Sequence, residues 1–131
     1  MMLKTYLAVM AGGAVGTGLR LWLSGLLAAK VGETFPLGTL AVNILGSFII
    51  SFFAGLAGPD GPLLVSSLAR QVVMVGVLGG FTTFSSFSFQ TLNLLNDGQW
   101  ARASANIGLS FALCMLAVWL GHIAAQALTQ R

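Results

Sequence analysis

The stretch GGFTTFSSFSF, Gly79–Phe89, sets four phenylalanines among five hydroxyl side chains, and its reading decides the fold. Two glycines followed by Thr-Thr and Ser-Ser are poor helix material. Glycine costs about 1 kcal/mol relative to alanine, and hydroxyls compete for backbone groups. Yet the segment lies in an apolar run long enough to cross a bilayer, so the expectation is a membrane helix broken near its middle. Such breaks are tolerated only where protein or a cavity surrounds them, and their freed carbonyls are natural ligands for Na+. Phe84 and Phe87 are three apart, adjacent on one face of any helix that resumes after the break. An aromatic ring has a positive edge. The pair therefore reads either as a dry partner for a small anion or as an aromatic packing ridge.

The rest of the chain supports a membrane setting. Of 131 residues, 56% are apolar and only 7% charged, and the mean hydropathy is +0.91. Soluble domains carry about 25% charged residues. The net charge of +3 comes from isolated residues, so no basic patch for nucleic acid is present. Cys114 is the one cysteine, which excludes an intrachain disulfide and a thiolate metal cluster. The opening MMLKTYLAVMAGGA has the charge and apolar run of a signal peptide. The apolar stretch continues to Ala29 without an evident processing site, so it reads as a retained span.

Four runs meet the requirement of about 20 mostly apolar residues: Thr5–Ala29, Gly38–Ala57, Gln71–Leu95 and Ala101–Ala127. KVGETFP, GPDGP and NDGQ connect them with turn chemistry. Leu63–Leu95 exceeds one straight crossing, so an interfacial stretch is expected around Leu63–Arg70. The reading is a single all-α transmembrane domain over residues 1–131. Lys4, Arg70 and Arg131 fall on one side of the membrane, and Lys30 and Arg102 on the other. Basic residues fix orientation, with the richer side cytoplasmic. Three against two is nearly no bias, so insertion in both orientations, and pairing with an inverted copy, is expected.

Polar residues at membrane depth face the bundle interior or a water-filled path. Thr39, Asn43, Ser47 and Ser51 recur every four residues on the second span, and Arg102, Asn106, Ser110 and Cys114 do so on the fourth. Gly12, Gly16 and Arg20 share one face of the first, where Gly-x-x-x-Gly is also a common packing motif. Each stripe can equally be interhelical glue. Arginine at a helix centre costs about 2.5–3.5 kcal/mol. Arg20 reads either as a brace on backbone carbonyls or as an attractor of anions. No Asp or Glu lies within a run, which disfavours proton-coupled cation export and acid-ringed cation pores. The remaining polar groups are weighted toward donors, and donors solvate anions. No nucleophile–base pair at motif spacing points to an enzyme.

Four segments together resemble the Fluc/CrcB family of fluoride channels: GGAVGTGLR, PLGTLAVNILGSF, GVLGGFTTFSSF and NIGLS. The resemblance covers essentially the whole chain. It implies a fluoride-selective channel in the bacterial inner membrane, built as an antiparallel, dual-topology homodimer with two pores and exporting fluoride passively. It further implies that Phe84, Phe87, Asn43, Thr39, Thr83, Ser110, Asn106 and Arg20 line or serve the fluoride pathway. Gly79 and Thr82 would supply backbone carbonyls to a structural Na+ at the dimer interface. Asn106 stands where many relatives have tyrosine, and Cys114 where some have a hydroxyl, so the outer part of that track departs from the family pattern.

Overall fold

The computed structural model describes residues 2–32 and 34–130. Glu33 and Arg131, which entered the charge reading, lie outside the described residues. Helix α1 (Met2–Val31) is followed by α2 (Leu37–Leu56). The third span comprises α3 (Ser67–Gln71), a π-helical segment (Val72–Val77), α4 (Leu78–Phe81) and α5 (Phe84–Asn96). Helix α6 (Trp100–Thr129) completes the chain. Four helical spans are long and apolar enough to cross a membrane, the third running Ser67–Asn96, and there is no strand among the described residues.

Local sequence explains the ends. Ser66 caps α3 by accepting from the Ala69 amide at 3.1 Å, which starts the third span at Ser67 rather than at Gln71. The stretch expected to lie at the interface is therefore already helical from Ser67 onward. Arg70 Nη1 donates to Ala57 O at 3.1 Å, tying this start to the frayed carbonyls ending α2. At the other end Gly98 has φ +76°. Gln99 N donates to Leu94 O and Gly98 N to Leu95 O, the paired bonds of a Schellman turn. NDGQ thus closes α5 and turns the chain into α6.

Glycine lets backbones meet where polar faces would otherwise be held apart. A Cβ on Gly16 would overlap Val77 O, and one on Gly12 would lie 2.8 Å from Val72 O. The Gly-x-x-x-Gly face of α1 is therefore fitted to the π-helical segment, which sequence periodicity did not anticipate. On the opposite flank Gly121 of α6 meets the Phe48 carbonyl of α2, and α2 with α6 forms the most extensive helix pair. Large apolar side chains such as Trp22 and Trp119 are exposed, as lipid-facing positions are.

The third span is interrupted where the opening stretch required it. Thr82 (φ −87°, ψ 157°) and Thr83 (φ −153°, ψ 113°) are extended. Thr83 then caps α5, its Oγ1 accepting from Ser86 N at 3.3 Å.

Candidate functional site

Asn43 holds the break from both sides. Its Nδ2 donates to Thr83 O at 3.1 Å, and its Oδ1 accepts from Thr83 N at 2.8 Å. A single amide on α2 thereby replaces the helical partners that an extended residue gives up. Two further carbonyls are released in consequence. The Thr83 amide would close a helical turn on Gly79 O, and the Ser86 amide would close one on Thr82 O. The first is taken by Asn43 and the second by the Thr83 hydroxyl. Gly79 O and Thr82 O accept no hydrogen bond among the described residues, and Gly79 is exposed on the surface of the chain.

Arg20 takes the intervening carbonyl, its Nε donating to Gly80 O at 3.0 Å. The guanidinium sits half-buried and braces α1 to the break, the first of the two roles its position allowed. Arg20→Ala is expected to lower stability by about 1–2 kcal/mol, since a bond from a charged donor is worth about 1.5–3 kcal/mol before solvent exposure weakens it. Thermal unfolding of the purified variant measures this.

A cavity of about 370 Å³ opens beside the break. Asn43 and Ser47 of α2, Thr83, Phe84 and Phe87, and Ser110 of α6 line it. The two rings lie 5.3 Å apart at 55°, a tilted pair in which Phe87 is 7% exposed and Phe84 70%. Ser110 is buried, and its hydroxyl has no hydrogen-bond partner. In a bundle this apolar an unpaired buried hydroxyl is costly, so its place on a cavity wall marks it as available to a ligand. Asn43 keeps a second N–H unengaged among the described residues. The cavity thus offers polar hydrogens and ring edges without any acidic side chain.

A second cavity, of about 530 Å³, lies at the end of the bundle where α1 and α5 finish. Thr39, Ser24, Gln90, Asn93 and Asp97 contribute to its polar lining. The α2 face bearing Thr39, Asn43 and Ser47 therefore serves both cavities, Thr39 one turn nearer the membrane surface than Asn43. Ser51 lines neither.

The sequence-predicted residues sort unevenly. Asn43, Thr83, Phe84, Phe87 and Ser110 converge on the mid-depth cavity, together with Gly79 and Thr82. Arg20 and Asn106 line neither cavity. Asn106 is 1% exposed, and its Nδ2 donates to Thr91 Oγ1 at 2.9 Å. Sequence reasoning missed Thr91 and Gln90. Thr91 lies four residues after Phe87, the one signal that places both on one face of α5.

Comparison with known proteins adds a family. Residues 7–122 match the family described as "CrcB-like protein, Camphor Resistance (CrcB)". A protein of Opitutus terrae called "Fluoride-specific ion channel FluC" is 60% identical over 126 residues, 96% of each chain. A protein of the same name from Rhodospirillum rubrum is 56% identical over 121 residues, covering 92% of this chain and 94% of that one. Another, from Methylocella silvestris, is 51% identical over 125 residues, 95% of each chain.

Proposed function

The chain belongs to the CrcB family, and from that premise we propose that it is a fluoride-selective channel. It is a multi-pass membrane protein of a channel family, not an enzyme. The observation that carries the proposal is the mid-depth cavity, where the unpaired Ser110 hydroxyl, the spare Asn43 N–H and the Phe84–Phe87 pair meet. Hydrogen-bond donors replace the hydration shell of a small anion. Ring edges add positive potential while excluding water. Selectivity over chloride follows from a narrow path of hard donors.

Export needs no energy source beyond the membrane potential. Fluoride enters an acid-bathed cell as neutral HF and is trapped inside as the anion. One charge crossing about 100 mV gains about 2.3 kcal/mol. At about 1.4 kcal/mol per factor of ten, that supports an outward gradient of about fifty-fold. Residence in the bacterial inner membrane belongs to this reading.

The functional unit in this reading is an antiparallel homodimer with two pores. Its support is the near-balanced charge of the two sides and the exposure of Phe84, whose ring a partner would cover. Gly79 O and Thr82 O would hold a Na+ at the dimer centre. Their freedom from backbone bonding fits such an ion, since hard cations take carbonyl oxygens, and two chains would provide four. The ion would supply a fixed positive charge that anchors the two breaks together.

The test is efflux from liposomes holding only this protein, read by fluoride and chloride electrodes in parallel. Rapid fluoride release with chloride release at least a hundredfold slower is the expected result. Equal release of both ions, or silence from folded protein, overturns the proposal.

A further inference from the structure

Helix α5 begins after two extended residues, so its rotation about its own axis is not inherited from α4 through a continuous hydrogen-bond ladder. Phe87 is the buried ring of the cavity pair, and a rotation of α5 would turn both rings together away from the Ser110 hydroxyl on α6. Something outside the helix must fix the rotation. At the start of α5 this is Asn43, through both backbone groups of Thr83. Two turns further along it is a buried polar relay to α6. Asn106 Nδ2 donates to Thr91 Oγ1 at 2.9 Å, and Thr91 Oγ1 donates to Phe87 O at 2.8 Å. A hydroxyl has one proton, so giving it to Phe87 O leaves Thr91 as the acceptor from Asn106 and fixes the direction of both bonds. Thr91 is 7% exposed and Asn106 1%, so no solvent competes for either bond.

We propose that Asn106 and Thr91 are a positioning pair that sets the Phe87 ring through the Phe87 carbonyl, and that Asn106 is not itself a ligand of the permeating ion. The proposal rests on the channel reading of the same site and divides the fourth-helix polar face into two parts. Ser110 has no partner and lines the cavity. Asn106, one turn away, lines neither cavity and spends its amide on the neighbouring helix.

The full-length chain is reconstituted as wild type, Thr91→Val, Thr91→Ser, Asn106→Leu and the Thr91→Val/Asn106→Leu double variant. Fluoride and chloride efflux are measured, and hydrogen exchange of the amides of residues 84–92 is followed in the same vesicles. Thr91→Val keeps the side-chain shape and removes the relay; Thr91→Ser keeps the relay. Thr91→Val and Asn106→Leu are each expected to lower the fluoride-to-chloride efflux ratio at least tenfold and to speed exchange in α5 at least tenfold. The double variant matches the singles, and Thr91→Ser stays within twofold of wild type. Should Asn106→Leu fail to fold, Asn106→Ala takes its place. The proposal is overturned if Thr91→Val keeps wild-type selectivity while Asn106→Leu loses it, which would make Asn106 an ion ligand. It is also overturned if the two variants change thermal stability alone. A wild type that carries no fluoride ends the channel reading by itself. The exchange data then decide the pair separately, and unchanged protection of α5 in Thr91→Val overturns it.

Discussion

Replacing Asn43 with leucine is expected to cut fluoride efflux by about thirtyfold and to lower stability by about 1–3 kcal/mol. The side chain makes two hydrogen bonds to Thr83, one as donor and one as acceptor. Interhelical hydrogen bonds in membrane proteins average about 0.6 kcal/mol and reach about 1.7 kcal/mol, so the pair accounts for that loss of stability. The effect on flux is larger because Asn43 also lines the cavity and positions Thr83 within it. A loss of about 2 kcal/mol in the conducting arrangement corresponds to about thirtyfold. Asn43→Asp separates the two bonds. It can still accept from Thr83 N but has no proton for Thr83 O when ionised, and it adds negative charge to an anion path. Its stability is expected to fall at least as far as that of Asn43→Leu, and its flux falls at least as far. A carboxylate at membrane depth costs about 2.5–3.5 kcal/mol, and this one faces the Thr83 carbonyl it cannot bond. Paired unfolding and efflux measurements distinguish these outcomes; wild-type flux from Asn43→Leu would remove Asn43 from the pathway.

Gly16→Leu is expected to cost about 3 kcal/mol or more and to leave little stable protein. Even the first added carbon overlaps the Val77 carbonyl, lies 2.8 Å from the Val77 carbonyl carbon and is 2.9 Å from the Phe81 amide nitrogen. Overpacking a core costs about 1–3 kcal/mol when side chains can yield. Here the neighbours are backbone, so α1 must move away as a body. That movement would withdraw Arg20 from Gly80 O and disturb the segment that carries Gly79 O. Gly18 lies two residues along the same helix with nothing within 4 Å of an added Cβ. Gly18→Ala should therefore be neutral to stabilising, by up to about 1 kcal/mol from helix propensity. Thermal unfolding of the two variants in detergent measures the difference, and equal stability would mean that α1 does not pack on the third span as described.

Much of this architecture was legible because the physics behind it is local. A run of about 20 apolar residues has few stable outcomes in lipid, so four spans followed from hydropathy. NDGQ read as turn chemistry, and Gly98 within it adopts the positive φ of a Gly-terminated helix end. The poor helix propensity of GGFTT announced an interruption. The π-helical segment at Val72–Val77 was not legible. VVMVGV satisfies α- and π-helical spacing alike, and the choice accompanies a close approach to Gly12 and Gly16 on another helix.

The candidate site divides in the same way. Residue type at a regular spacing placed Thr39, Asn43 and Ser47 on one face of α2, and Phe84 beside Phe87 on α5. That information resides in a single helix, where geometry depends only on the spacing of residues. Which polar groups remain free depends on partners fifteen to sixty residues away. Arg20 is committed to Gly80 O, Asn43 to Thr83 and Asn106 to Thr91. Ser110, the one hydroxyl of its stripe, is left unpaired on a cavity wall. The sequence by itself determined the number of spans, the break and the faces that carry polar groups, because each follows from propensity or periodicity along one segment. Only the tertiary structure decided which of those groups are spent holding helices together and which are open to an ion, because a hydrogen bond to one partner removes a donor or a lone pair from every other.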